Sequence, residues 1–322
     1  MEKYILSVIV PVYNPSREKL SKCLDSINKH SFDDIETLII CDGTSADLTQ
    51  YIKEYCHNLK NITIYEQDNQ GVSQARNKGI DLAKGKYLHF CDSDDEIDIF
   101  KMHEIVNKID TDFVYFDYYK KRNDKLKLFK LPSLTLTLFK KRLLSKPNIY
   151  GTIWNKIYKK EIIIENNIYY DKELTHLEDT EFVFKYLDKS NSISHYDAAC
   201  YTYCVYPSSE AKNNTKALNS FVKALNIIKD KYAKKDIKQF NNGCLINLIL
   251  FLTNYIYKNN TKYNEGINDL NEIVNTTPFK EAIKNYDKSD MSILNTIFIE
   301  TLRLKLYYLS YLIIKFRHTF WS

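Results

Sequence analysis

Two aspartates one residue apart, in Asp92-Ser93-Asp94-Asp95, stand directly after the apolar run Tyr87-Leu88-His89-Phe90-Cys91. Carboxylates so spaced just beyond a strand point to one side and can serve one divalent ion, and hard oxygen ligands select Mg2+ or Mn2+. An ion held by so few protein groups is completed by substrate phosphates and neutralises charge on a departing diphosphate. The competing explanation is a helix N-terminus, where Asp accepts backbone N–H groups and opposes the macrodipole. Other loops break the tie. Tyr13-Asn14, Asp42-Gly43-Thr44-Ser45 and Asp68-Asn69-Gln70-Gly71 also follow apolar runs. Asp42 is suited to accept from a pyrimidine N–H, and Tyr13 offers a face on which a base can stack. Alone, Asp-Gly is a common turn and Tyr an abundant residue; together they mark a nucleotide pocket.

The runs that must position these groups are Leu6–Val10, Thr37–Cys41, Ile62–Tyr65 and Tyr87–Cys91, with helix-period segments such as Leu20/Cys23/Leu24/Ile27 between them. That alternation predicts an α/β fold with a parallel sheet covered on both faces. A fifth strand, Phe113–Phe116, follows a short helix at Ile99–Ile109. Ligands of such sheets bind beyond the carboxyl ends of the strands, and the polar loops all fall on that edge. From Lys120 to Tyr206 the pattern is mixed, with a helix opening near Glu178-Asp179-Thr180. A boundary near Pro207 divides the chain into a domain over 1–206 and a helical region over 207–322. The latter holds an apolar helix around Cys244–Tyr257 and a last helix from about Asn295 to the end.

With 322 residues, 44% of them hydrophobic and 27% charged, the chain can bury a core. Its net charge of +5 comes from basic residues interleaved with acids, which gives no reason to expect nucleic acid as a partner. Met1-Glu2-Lys3-Tyr4 lacks the pattern of a secretory signal and no apolar stretch is long enough to span a bilayer, so a cytoplasmic protein is expected. The cysteines, seven and scattered, read as reduced thiols. Cys200 and Cys204 have no matching ligands nearby to make a zinc site.

Ser7-Val8-Ile9-Val10-Pro11-Val12-Tyr13-Asn14, Asp42-Gly43-Thr44, Gly71-Val72-Ser73-Gln74-Ala75-Arg76-Asn77-Lys78-Gly79, Gly85-Lys86-Tyr87 and Asp92-Ser93-Asp94-Asp95 stand in an order and spacing that resemble family 2 glycosyltransferases. Trp154–Ile162 and Leu177–Phe182 extend the likeness toward the bacterial branch that builds capsules, wall polymers and other surface glycans. The resemblance runs from about Ile5 to Tyr206. It implies the GT-A nucleotide-diphospho-sugar transferase fold, a doubly wound mixed sheet, and transfer with inversion from a UDP-sugar to a glycan or polyprenyl-linked acceptor. Carried over by position, Pro11, Tyr13, Asn14 and Asp42 hold the nucleoside and Arg76 lies near base or phosphates. Asp92, Ser93 and Asp94 hold ribose and metal, and Asp179, with Glu178 beside it, is the general base. Trp154, Asn155, Lys156, His176 and Ser208 are its candidates for acceptor or diphosphate contacts.

The sequence departs from the family pattern at Cys41, where the first of two adjacent Asp residues is usual, and at Ala46, an added residue. Near Tyr203–Ser209 relatives place an Arg and a Ser against the diphosphate; here the Arg is missing, with Lys212 or Lys156 as substitutes. These departures motivate a second reading, a non-catalytic partner of an active paralogue. A nicotinamide-dependent dehydrogenase fails because Pro11-Val12-Tyr13-Asn14 is no glycine-rich turn. In the tail, Leu302, Leu306, Leu309, Ile313, Phe316 and Phe320 form one apolar stripe beside Arg303, Lys305, Lys315 and Arg317. That stripe suits the inner face of the cell membrane, packing within the chain, or a sister subunit.

Overall fold

β-Branched and aliphatic residues fill the first strands because both faces of a parallel sheet are covered, which leaves no polar face to alternate with. In the computed structural model, which describes residues 3–28, 32–123, 125–206, 215–258 and 263–321, every residue of β2 (Ile35–Asp42) is buried. Beside β2, β1 (Tyr4–Val12), β3 (Ile62–Gln67) and β4 (Gly85–Phe90) run parallel in the order β3-β2-β1-β4. The four predicted strands are all present.

The sheet continues beyond β4 through β8 (Lys156–Lys159), β6 (Phe113–Arg122) and β9 (Ile193–Val205) to β5 (Glu96–Ile97), while β7 (Lys125–Phe129) pairs with β6. β8 runs antiparallel to both β4 and β6, so the nine-stranded sheet is mixed. Helices α1 (Arg17–Asn28), α2 (Ala46–Cys56), α3 (Val72–Leu82) and α4 (Ile99–Val106) cross between the early strands, and α7 (Lys160–Glu165) follows β8. α1 buries the predicted Leu20, Cys23, Leu24 and Ile27 at i, i+3, i+4 and i+7. Ser45 caps α2, its Oγ accepting from the Leu48 N–H at 3.3 Å. All seven cysteines are buried thiols.

The chain forms two compact units, one of Met1–Leu136, Ile153–Lys172 and Lys185–Glu210, the other of Thr137–Thr152, Glu173–Phe184 and Ala211–Ser322. The nine strands belong to the first. Segments 137–152 and 173–184, which the sequence reading places in the first domain, are part of the second unit. That unit contains α5 (Leu136–Ser145, from its second residue), α6 (Pro147–Tyr150), the first part of α8 (Glu178–Lys189) and α9 (Thr215–Tyr232). Then come α10 (Ile237–Lys258), α11 (Tyr263–Asn275), α12 (Phe279–Asn285), α13 (Ile293–Arg303) and α14 (Tyr307–Trp321).

The expected single last helix is two. α13 ends in a Schellman turn, with the Leu306 N–H donating to the Thr301 carbonyl at 2.9 Å and the Lys305 N–H to the Leu302 carbonyl at 3.0 Å. Lys305 takes the left-handed conformation there, at φ 59°. The break divides the expected stripe: Leu302 is buried, whereas Leu306, Leu309 and Phe316 are exposed, and α14 buries Tyr311 and Ile314 instead. The Phe320 side chain lies outside the described residues. Among those described, no helix is long and apolar enough to cross a membrane.

Candidate functional site

The carboxyl ends of β1 to β4 carry the loops read from the sequence. Pro11, Val12, Tyr13, Asp42, Asn69 and Gly71 line much of a cleft of about 280 Å³ there. Tyr13 is 60% exposed, so one ring face is open to stacking. Asp42 is buried and already engaged: its Oδ1 accepts from Gln67 Nε2 at 2.9 Å and the Gln70 N–H at 2.8 Å, and its Oδ2 from the Gly71 N–H at 2.9 Å. A carboxylate has about four acceptor positions, so Asp42 shapes the Asn69–Gly71 wall and retains capacity for a ligand donor. Gly43 makes the close turn beneath that wall at φ 68°, where a Cβ would lie 2.6 Å from the Cβ of Asn69. Asn14 is also occupied, its Oδ1 accepting from the Ser45 N–H at 2.9 Å, which ties the loop after β1 to the loop after β2.

Cys41 points away from this cleft. It is buried in the hydrophobic core with Val10, Val12 and Leu48, since successive residues of a strand face opposite sides. Burial raises its thiol above the ordinary value. The departure from the family pattern therefore changes a core residue, while Asp42 keeps the site side.

At the end of β4 the acidic loop is held from several directions. Arg76 of α3, itself buried, donates from Nη2 to Asp92 Oδ1 at 3.0 Å, with its guanidinium 5.4 Å from the Tyr170 ring. The Asp92 N–H donates to the Tyr201 hydroxyl at 3.2 Å, and that hydroxyl donates to Asp95 Oδ2 at 2.6 Å. Asp95 also accepts from the Cys204 N–H at 2.7 Å. Asp95 is thus an anchor, and burial followed by the charge of Asp92 raises its carboxyl well above the usual range. Asp94 and Ser93 are half-buried. Burial and then Asp92 raise the Asp94 carboxyl, and the Lys19 ammonium opposes that rise.

Lys19 and Tyr201 are residues that motif reading missed. Lys19, on α1, holds its Nζ 3.7 Å from the centre of the Tyr206 ring, just past β9. Neither lies in a recognisable motif, and Tyr201 is 109 positions from Asp92. The one available signal was the lysine face of an amphipathic helix that begins at a site loop.

Trp154, Asn155 and Lys156 sit deeper than their role as ligand contacts anticipates. The indole stacks on Tyr201 at 4.8 Å and Tyr203 at 5.5 Å. Asn155 and Lys156 are fully buried, with Lys156 Nζ donating to Asn155 Oδ1 at 2.7 Å. This segment supports Tyr201, and through it Asp92. His89 is packed inside β4, its Nδ1 donating to the Lys156 carbonyl at 2.9 Å and its imidazole pushed down to about 4 by burial.

Glu178 and Asp179 belong to the second unit, in the first turn of α8, half-buried, with Thr180 and Glu181 buried behind them. His176 precedes them, its Nδ1 3.2 Å from Thr175 Oγ1. Ser208 and Lys212 lie outside the described residues. Among those described, no cluster of three or more His, Cys, Asp or Glu side chains could hold a metal. Any ion at Asp92 and Asp94 would need ligands from its substrate.

Residues 7–166 match the model of Glycosyl transferase family 2. This chain carries a glycosyl transferase family 2 domain. Among its relatives is the Bacillus subtilis glycosyltransferase EpsJ, 26% identical over 64% of this chain and 62% of EpsJ. Another is the Staphylococcus aureus poly(ribitol-phosphate) beta-N-acetylglucosaminyltransferase TarS, 29% identical over 61% of this chain and 35% of TarS. The matches thus span less than two thirds of either relative. The crystal structure of S. aureus TarS 1–349 in complex with UDP-GlcNAc superimposes with a TM-score of 0.68 at 21% identity, covering 98% of this chain and 91% of that one. The family 2 chain therefore has the GT-A fold that its motifs imply.

Proposed function

We propose that this family 2 chain is an inverting glycosyltransferase that moves a sugar from a UDP-sugar to a hydroxyl of a growing surface glycan, such as a capsule or wall polymer. The observation that supports it most is one sheet edge carrying both the Tyr13–Asp42–Gly71 cleft and the Asp92–Asp94 loop. Uracil stacks on Tyr13, and its ring N–H donates to the acceptor capacity left on Asp42. The names of TarS and of its UDP-GlcNAc complex support a uridine-linked donor and a polymer as acceptor.

Asp92 and Asp94 are the carboxylates that would hold Mn2+ or Mg2+, since both lie on the loop after β4 and hard oxygen ligands suit those ions. When bound, the ion would draw charge from the leaving diphosphate. Arg76 fixes the Asp92 carboxylate, and Lys19, whose charge acts on Asp94, supplies a cation in place of the missing Arg. Asp179, with Glu178 adjacent, takes the proton of the acceptor hydroxyl as its oxygen attacks the anomeric carbon and UDP leaves. With Cys41 in the core, the non-catalytic reading loses one observation that motivated it.

Titration calorimetry with UDP and uridine, with and without Mn2+, tests this. Mn2+ should tighten UDP binding by about tenfold or more, or at least 1.4 kcal/mol, and leave uridine unchanged. Asp94→Asn should remove that gain, and Lys19→Met should weaken UDP but not uridine. Asp179→Asn should retain UDP binding and lose transfer. Absence of UDP binding at roughly millimolar nucleotide would sink the donor-site assignment.

A further inference from the structure

The last two helices of the second unit turn apolar side chains outward. On α14, Tyr308, Leu309, Leu312 and Phe316 are 57%, 43%, 42% and 67% exposed. Their spacing of i, i+1, i+4 and i+8 puts them on one face. This is not the face that packs: among the described side chains of α14, Ser310, Tyr311 and Ile314 are the buried ones, against a unit in which it contacts α10, α11 and α13. Leu304 and Leu306, on either side of the left-handed Lys305, are exposed as well, and so are Ile293, Leu294 and Ile297 of α13. A surface helix ordinarily places polar residues where α14 places a second apolar face.

Charge selects what covers it. From Thr301 to Ser322 the sequence has no Asp or Glu, but it has Arg303, Lys305, Lys315 and Arg317. The last acid before them, Glu300, already lies between Lys288 Nζ at 2.9 Å and Arg303 Nη2 at 2.5 Å. A second copy docked face to face would set like charges against each other, whereas an anionic lipid surface is complementary. We propose that the outward face of α14, with Leu304 and Leu306 beside it, lies in the surface of an anionic membrane. Leu309, Leu312 and Phe316 enter the headgroup–acyl boundary, Lys305 and Lys315 reach phosphate, and Tyr308 sits at the interface. This surface is independent of the donor-site assignment.

The test is co-sedimentation of the full chain with vesicles of phosphatidylcholine alone or with about one third phosphatidylglycerol. We expect at least about tenfold more binding to the anionic vesicles, weakened by salt near 0.5 M. Leu309→Glu/Phe316→Glu should lose about tenfold or more of that binding while its urea unfolding midpoint stays at the wild-type value. Equal binding to both vesicle types, or to neither, overturns the proposal. So does a wild-type dimer by light scattering that the double variant converts to monomer, since the face would then belong to a second copy.

Discussion

At the scale of single residues, Asp92 is placed by partners remote in sequence: Arg76 on its carboxylate and the Tyr201 hydroxyl on its backbone N–H. The Asp-x-Asp pair was legible because two carboxylates just past a strand form a local pattern. Tyr201, Asp95 and Lys19 were not, since an anchor acid looks like a ligand acid until its neighbours are known. His89 shows the same dependence on surroundings and gives a test with a definite sign. Burial lowers its imidazole from 6.5 to about 4, so the unfolded chain binds a proton that the folded chain excludes between those values. Stability is then complete above pH 6.5 and declines as pH falls toward 4. Between pH 7 and 4.5 the loss due to this one group should be roughly 2–3 kcal/mol. His89→Asn can still donate to the Lys156 carbonyl but does not titrate there. Urea unfolding of both proteins at the two pH values should show a smaller drop for the variant, because other titrating groups are common to both. Equal drops would mean that His89 is protonated within the folded protein.

Elements set these residues through close backbone approach, and α3 on β1 is the tightest case near the site. Gly79 lies in the middle of α3, where Ala is intrinsically better by about 1 kcal/mol. Yet a Cβ there would lie 2.3 Å from Cγ2 of Ile9, which is fully buried in β1. Gly79→Ala should therefore destabilise by about 1–3 kcal/mol despite its better helix propensity, and by moving α3 it should also weaken the Arg76 grip on Asp92. A urea midpoint that rises in this variant would show that Ile9 yields without cost. The first four strands were legible because β-branched runs between amphipathic helices admit few other folds. The order β8-β6-β9 was not, since antiparallel joins between distant strands leave no local period. Nor was the break between α13 and α14, because a left-handed turn is usually announced by Gly and here falls on Lys305.

For the whole molecule, the boundary near Pro207 follows a change in sequence pattern, but the contacts divide the chain differently. Segments 137–152 and 173–184 pack with the C-terminal helices rather than with the strands around them in sequence. α10 passes so close to the Leu144 carbonyl that a Cβ on Gly243 would lie 1.8 Å from that oxygen. The Thr175 N–H donates to Ser220 Oγ at 2.8 Å, Phe184 stacks on Tyr232 at 5.1 Å, and Lys141 pairs with Asp236 at 3.2 Å. A truncation to residues 1–206 keeps every described strand and the family motifs up to Tyr206, yet it removes the partners of both segments. Each large apolar side chain laid bare costs about 1.5–3 kcal/mol, against a total stability of about 5–15 kcal/mol for a domain. The truncated chain should therefore lack the cooperative thermal transition of the full chain when both are followed by circular dichroism, or fail to remain soluble. A cooperative transition near the full-length midpoint would show instead that the first unit needs neither segment in its native place, and that the motif-bearing region is a domain in its own right.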